Sequence, residues 1–114
     1  MKTVLVTGSN GLLGQKIVYA LMGRGDIRCV ATSRGPNRIK TQEGYEYMAM
    51  DVTVHAEVVE LFDRVRPDIV INTAAMTNVD ACEQRQEEAV LMNVTAVGYL
   101  VEACRKHGSH LVHL

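Results

Sequence analysis

A glycine-rich turn between an apolar segment and a helical pattern constrains the fold of this chain more than any other feature. The turn is Thr7-Gly8-Ser9-Asn10-Gly11-Leu12-Leu13-Gly14, and it follows the apolar run of residues 2–7. A chain that leaves a buried strand must reverse sharply, which favours glycine at Gly8, and a pyrophosphate must approach the backbone closely, which favours Gly11. Gly14 lets the helix pack against the strand, and the helix N-terminus offers N–H groups to phosphates. The segment therefore predicts a dinucleotide-binding turn.

There are two alternatives to that interpretation. One is a glycine-rich turn that holds no ligand. The other is a phosphate-binding loop of the nucleotide triphosphatase kind, which needs Gly-Lys-Ser/Thr, whereas here Lys16 follows Gln15 and precedes Ile17. The spacing therefore favours a dinucleotide over ATP.

Apolar runs and helical spacings alternate along the rest of the chain. We expect strands at residues 2–7, 28–33, 45–50, 68–73 and 110–114, and helices at residues 11–22, 53–65 and from beyond residue 80 to 107. Leu13, Ile17 and Leu21 are predicted to share the inner face of the first helix, and Thr53 to cap the second. Strands that are apolar throughout and alternate with helices predict an α/β fold, a doubly wound parallel sheet of order 3-2-1-4-5.

Composition limits the classes of partner. The chain of 114 residues is 47% apolar with a net charge of -1, which suits one modest domain and gives no basic surface for nucleic acid or an anionic membrane. No apolar run approaches the roughly 20 residues of a membrane span, and the start of the chain shows no signal-peptide pattern, so we expect a cytoplasmic protein.

Cysteines and histidines do not indicate a metal or redox site. Cys29, Cys82 and Cys104 are odd in number and widely spaced, and we expect buried thiols. His110 and His113 lie three residues apart on a predicted strand, so they point to opposite faces and do not share a metal.

Several motifs together resemble the extended short-chain dehydrogenase/reductase family. The glycine turn has that family's Thr-Gly-x-x-Gly-x-x-Gly form, and Asp51-Val52, Asn72-Thr73-Ala74-Ala75 and Asn93-Val94 fall where its later motifs lie. The run of residues 72–83 is similar to the dTDP-4-dehydrorhamnose reductase branch. This resemblance implies a nicotinamide cofactor and reduction of a keto group on a nucleotide-linked sugar in dTDP-rhamnose biosynthesis.

The turn and the resemblance together give a set of candidate cofactor-binding residues. Asp51 and Val52 are expected at the adenine, residues 74–77 along the cofactor, and Asn93 as a support, although Asn93 packing near the sheet edge is an equal alternative. The full set is Gly8, Asn10, Gly11, Leu12, Leu13, Gly14, Ser33, Arg34, Asp51, Val52, Ala74, Ala75, Met76 and Asn93.

The end of the second strand predicts a preference for NADP(H), with NAD(H) possible. A carboxylate there would bind the ribose 2′-hydroxyl of NAD, but the chain has Ser33 and Arg34. Arg34, together with Arg38, can form forked hydrogen bonds to a 2′-phosphate. The alternative is two solvated loop arginines.

The chain departs from the family at the catalytic pair. In the family a Ser or Thr past the fifth strand precedes a Tyr-x-x-x-Lys pair, in which the tyrosine donates the proton and the lysine lowers its pKa. Here Tyr19, Tyr45, Tyr47 and Tyr99 are followed four places on by Gly23, Ala49, Asp51 and Ala103. We therefore expect no catalytic residue in this chain, which we interpret as a dinucleotide-binding domain over residues 1–114, truncated after the fifth strand and lacking the substrate region, and inactive alone.

Other functions and an assembly are also compatible with these motifs. Nucleotide-sugar epimerases and dehydratases share the glycine turn, and a non-catalytic regulatory subunit could present a bound dinucleotide to a partner. Apolar residues spread around more than one face of the long last helix, at residues 86–107, which predicts a homo-oligomer that forms through this helix. The alternative is a helix buried within its own domain.

Overall fold

The sheet has five parallel strands and helices on both faces. The computed structural model describes residues 1–73 and 94–114. The strands are β1 (Lys2–Thr7), β2 (Ile27–Thr32), β3 (Glu46–Tyr47), β4 (Ile69–Asn72) and β5 (His110–His113), and the helices are α1 (Leu12–Met22), α2 (His55–Val65) and α3 (Ala96–His107). The strand order is β3-β2-β1-β4-β5, and every pairing is parallel, which confirms the predicted topology.

Alternating residues of the central strands divide the core between the two faces of the sheet. Leu5 of β1 belongs to the cluster that Phe62 of α2 and Leu100 of α3 complete. Val4 and Val6 belong to the opposite cluster, which Val18 of α1 covers. Because both faces of β1 are buried, consecutive residues of the strand are apolar, and the strand lacks the alternation of apolar and polar residues that a half-exposed strand shows.

Most element boundaries differ from the expectations by one or two residues, and the third strand and the start of the second helix differ most. The second strand begins and ends one residue earlier than expected, and the third is reduced to Glu46–Tyr47. Thr53 does not cap α2, because its hydroxyl donates to Asp51 Oδ1 at 2.6 Å and Val54 takes the N-cap position. A local side-chain bond therefore replaces the expected cap.

The inner face of α1 was also partly mispredicted. Leu13 is 50% exposed, whereas Gly14 and Val18 are the buried residues of this helix. Ile17 and Leu21 are partly buried against the core, as expected. The contact face is rotated because the helix approaches the end of β1 at Gly14, which carries no side chain.

The cysteine prediction is confirmed at two positions. Cys29 and Cys104 are free and buried, and burial raises the pKa of each thiol to about 11, so both stay protonated at neutral pH. Cys82 lies outside the described residues. Among residues 1–73 and 94–114, no group of three or more His, Cys, Asp or Glu could hold a metal ion. The same residues contain no helix long and apolar enough to cross a membrane.

Candidate functional site

The glycine turn leaves the carboxyl end of β1 and enters α1 within a few residues. Gly8 has a φ of 72°, the left-handed conformation that glycine adopts without strain. The turn is closed by the N–H of Gly11, which donates to the carbonyl of Gly8 at 3.0 Å. A Cβ atom on Gly14 would lie 2.2 Å from the same carbonyl oxygen, so only glycine allows this approach between α1 and β1. The structural reasons given for Gly8 and Gly14 are therefore confirmed.

The N-terminus of α1 suits an anionic group. Gly11 takes the N-cap position without a side-chain cap, and the first turn carries no acidic residue. The first N–H groups of a helix need partners from outside it, and its dipole is positive at this end. An oxyanion near Gly11 would satisfy both requirements, and a Cβ atom on Gly11 would already lie 3.3 Å from the Gly8 carbonyl.

A cavity of about 360 Å³ opens at the carboxyl ends of β1 and β2. Seven of the predicted cofactor residues line it: Gly8, Asn10, Gly11, Ser33, Arg34, Asp51 and Val52. Arg38, which the sequence suggested as a partner of Arg34, also lines it, together with three residues that were not predicted: Thr32, Met50 and Thr73. The sheet therefore brings together predicted residues that are more than 40 positions apart in the sequence.

The other predicted residues do not line this cavity or lie outside the described part of the chain. Leu12 is 76% exposed in the first turn of α1, next to Leu13. Gly14 lies against the backbone of Gly8, behind the turn. The predicted residues Ala74, Ala75, Met76 and Asn93 lie outside the described residues.

Asp51 is held at the rim of the cavity by its own turn. Its Oδ1 atom accepts the N–H of Thr53 at 2.9 Å in addition to the Thr53 hydroxyl. The side chain of Glu57 in α2 accepts the Asp51 N–H at 3.1 Å. These bonds fix the segment that carries Asp51 and Val52 against the first turn of α2.

The loop after β2 carries two cationic side chains at the other side of the cavity. Arg34 and Arg38 both line it, and neither forms an ion pair within residues 1–73 and 94–114. Thr32, at the end of β2, is fully buried there, and its hydroxyl has no hydrogen-bond partner among the described residues. The cavity therefore offers two guanidinium groups to a ligand.

Asn10 connects the glycine turn to this loop. Its Nδ2 atom donates to the carbonyl of Pro36 at 3.0 Å, and its Oδ1 atom accepts the N–H of Arg38 at 2.7 Å. Gln15 in α1 donates to the carbonyl of Asn10 at 2.9 Å. The side chain of Asn10 therefore positions protein backbone as well as lining the cavity.

Tyr47 holds the same loop from β3. Its hydroxyl lies 2.6 Å from the carbonyl oxygen of Gly35 and 3.1 Å from that of Ser33. Burial raises the pKa of Tyr47, so its hydroxyl remains a donor at neutral pH. Strand order could have indicated this contact, because β3 lies next to β2 and its end meets the loop that follows β2.

Polar side chains also connect the carboxyl ends of β1, β4 and β5. Thr7 Oγ1 donates to Asn72 Oδ1 at 2.5 Å, and Asn72 Nδ2 lies 2.9 Å from His113 Nδ1. The hydroxyl of Thr73 donates to the carbonyl of Thr7 at 2.7 Å. Thr7 and Asn72 are buried, so these bonds satisfy groups that would otherwise be costly to bury.

A doubly wound parallel sheet with a glycine turn at its carboxyl edge defines a Rossmann-type fold. The sequence matches the family described as the RmlD substrate binding domain over residues 1–114, and the chain belongs to this family.

Two relatives with related names support this membership and confirm the resemblance drawn from the motif residues. The dTDP-4-dehydrorhamnose reductase of Aggregatibacter actinomycetemcomitans is 30% identical over 114 residues, which are 100% of this chain and 34% of that protein. A solved structure of a hypothetical dTDP-4-dehydrorhamnose reductase from Sulfolobus tokodaii is 33% identical with a TM-score of 0.81, covering 99% of this chain and 38% of that one.

A third similar protein has a different named activity. The UDP-glucose 4-epimerase of Thermus thermophilus, solved in complex with NAD, is 28% identical with a TM-score of 0.86, covering 96% of this chain and 36% of that one. The chain thus spans about a third of the length of the proteins it matches.

Proposed function

We propose that this chain is the cofactor-binding part of a reductase that uses NADPH to reduce a keto group on a nucleotide-linked sugar. One observation carries the proposal. The glycine turn of β1 opens into a cavity of about 360 Å³ that also holds Arg34 and Arg38. Relatives of the chain are named dTDP-4-dehydrorhamnose reductase and dTDP-4-keto-6-deoxy-D-glucose reductase, which supports the same substrate class.

The residues present fit a nicotinamide dinucleotide phosphate. The bare Gly11 and the uncapped start of α1 suit the pyrophosphate, and Arg34 suits a 2′-phosphate. Asp51 and Val52, which line the same cavity, are proposed to contact the adenine. The absence of a carboxylate at Ser33 and Arg34 disfavours the 2′-hydroxyl of NAD. We propose the same binding role for Ala74, Ala75, Met76 and Asn93.

In the proposed function, these residues bind the cofactor and do not carry out the proton transfer. When bound, the nicotinamide supplies a hydride to the keto carbon, and the oxygen that becomes an alkoxide must then receive a proton. A positioned acid contributes roughly 10²- to 10⁴-fold to such a step. None of the four tyrosines has a lysine four places on. The role of residues 1–114 is therefore to bind and orient the cofactor.

An NAD-dependent nucleotide-sugar epimerase is the second candidate. The likeness to the Thermus epimerase, whose structure contains NAD, favours it. The two candidates differ in cofactor, because only the first uses the arginines after β2 to hold a phosphate.

Calorimetric titration of the 114-residue chain with NADPH and NADH tests the proposal. We expect NADPH to bind at least about tenfold more tightly, because a charge-assisted hydrogen bond contributes about 1.5–3 kcal/mol. We also expect no loss of NADPH absorbance when a dTDP-4-keto-6-deoxy sugar is added. Equal affinity for NADH would remove the argument for NADPH and favour the epimerase, and turnover would require a proton donor not identified among these residues.

A further inference from the structure

The two arginines of the cavity lie on a loop that has little regular structure of its own. We define the arginine loop as residues 33–38, which follow β2 and contain Gly35 and Pro36. Arg34 is exposed, and neither arginine is held by an ion pair in the described part of the chain. A loop of this kind loses conformational entropy when it orders around a ligand, and that loss weakens binding.

Two side chains from outside the loop remove much of this freedom. Asn10, in the glycine turn, binds the carbonyl of Pro36 and the N–H of Arg38. Tyr47, in β3, binds the carbonyls of Gly35 and Ser33. We call Asn10 and Tyr47 the loop clasp. Together they contact four backbone groups of the arginine loop, three of them carbonyls and one an N–H, and the single Tyr47 proton is shared between two of the carbonyls.

The clasp also connects two parts of the cavity. Asn10 lies between Gly8 and Gly11, where the pyrophosphate is proposed to bind, and its amide fixes the backbone of Arg38. Asn10 therefore links the phosphate-binding turn to the backbone of the loop that carries both guanidinium groups. A ligand with phosphates at both positions gains from this link, whereas a ligand without a 2′-phosphate does not.

We propose that Asn10 and Tyr47 are positioning residues that determine selectivity for a 2′-phosphorylated nucleotide by holding the arginine loop in its binding conformation. The inference rests on the proposed function and extends it, because selectivity is assigned to two residues that carry no positive charge. Tyr47 does not itself line the cavity, so its effect on the ligand is indirect.

The test compares adenosine 2′,5′-bisphosphate with AMP, two probes that differ only in the 2′-phosphate. Calorimetry of the 114-residue chain gives the ratio of their affinities. We expect Tyr47→Phe to lower this ratio about tenfold, the size expected for one or two lost hydrogen bonds, and Asn10→Ala to lower it at least as much. Arg34→Ala is the positive control, because it removes a proposed phosphate ligand directly.

Tyr19→Phe and Gln42→Ala are matched negative controls. Tyr19 lies on α1 and is 40% exposed, and Gln42 donates to the carbonyl of Ile39, so neither variant removes a bond to the arginine loop. Both should keep the wild-type ratio. The ratio separates positioning from general destabilisation, because a partly unfolded population weakens both probes by the same factor.

Three results would contradict the inference, and they can be told apart. A normal ratio in Tyr47→Phe and Asn10→Ala, with a reduced ratio in Arg34→Ala, would refute the clasp and leave the proposed function intact. A wild-type chain that binds both probes equally would refute the 2′-phosphate preference and the clasp with it. A wild-type chain that binds neither probe would refute the proposed function itself.

Discussion

At the scale of single residues, two helical glycines in this chain have opposite relations to their surroundings. Gly14 in α1 faces the backbone of β1, where a Cβ atom would lie 2.2 Å from the Gly8 carbonyl oxygen and 2.8 Å from Ser9 Cα. For Gly98 in α3, no atom of the described residues outside its own stretch of helix lies within 4 Å of the same position. The first glycine is required by packing, and the second costs helix stability without a packing gain.

We therefore predict opposite effects of the same substitution. Gly14→Ala should lower the free energy of unfolding by about 2–3 kcal/mol or more, because neither the turn nor the strand can move away from the new methyl group. Gly98→Ala should raise it by about 0.5–1 kcal/mol, the difference in helix propensity. Urea denaturation followed by circular dichroism measures both. A neutral Gly14→Ala variant would show that α1 can shift away from β1.

Residues of the site could be predicted from sequence where backbone geometry dictates the residue type. Gly8 has a positive φ, and Gly14 packs closely against the backbone of Gly8. Each of these geometries requires glycine, so each can be recognised in the sequence. Tyr47 could not be recognised in this way, because no spacing pattern in the sequence identifies a tyrosine whose hydroxyl binds loop carbonyls. Asn10 was predicted as a cofactor residue, but its bonds to Pro36 and Arg38 depend on a loop conformation that no local pattern encodes.

At the scale of elements, α2 and α3 end in the same left-handed conformation with different residues. Gly108 follows α3 with a φ of 69°, and Arg66 follows α2 with a φ of 49°. Arg66 is the one residue other than glycine with a positive φ among the described residues. Its Cβ atom makes this conformation costly, whereas glycine accepts it readily.

We predict that Arg66→Gly stabilises the protein. The gain should be up to about 1 kcal/mol, because relief of the left-handed strain exceeds the greater chain entropy of glycine. Arg66→Ala is the control, since alanine keeps the strain and removes the same exposed charge. Thermal melts of both variants measure the difference, and an Arg66→Gly melting temperature no higher than that of Arg66→Ala would contradict the explanation.

Element boundaries were predicted less well than element types, for local reasons. The start of α2 moved because the Thr53 side chain bonds to Asp51, which a capping rule does not consider. The third strand is short: Glu46 and Tyr47 pair with β2 at the sheet edge, and beyond them, among the described residues, only the N–H groups of Met48 and Met50 donate to the carbonyls of Ala31 and Ser33. Arg66-Pro67 and Gly108 ended their helices as expected, because these residues act on the backbone directly.

At the scale of the whole molecule, the topology could be predicted from the alternation of apolar strands and helices. Parallel neighbours need crossover connections, and right-handed crossovers leave few possible strand orders. That order places the ends of β1 and β2 side by side, which is why residues from the glycine turn and from the loop after β2 meet in one cavity. The contact between β3 and the arginine loop follows from the same order.

The outer surface of α3 has a second apolar stripe. Ala96, Leu100, Ala103 and Cys104 are buried against the sheet. On another face of α3, Val97 and Val101 are partly exposed, and Val94, two residues before the helix, lies at helical spacing from them and is 64% exposed. One sheet can cover only one stripe of a helix, so the second stripe suits another apolar surface.

We propose that a second copy of the chain packs on this stripe, and we predict that Val97→Glu shifts the oligomer toward monomer. A charge at the centre of an apolar contact loses hydration without gaining a partner, which should weaken association at least about tenfold. Tyr19→Glu is the matched control, because Tyr19 is 40% exposed on α1, across the sheet from α3. Sedimentation velocity over a concentration series measures both. A wild-type chain that stays monomeric at high concentration would contradict the proposal, and equal dissociation by both variants would show that association is not specific to α3.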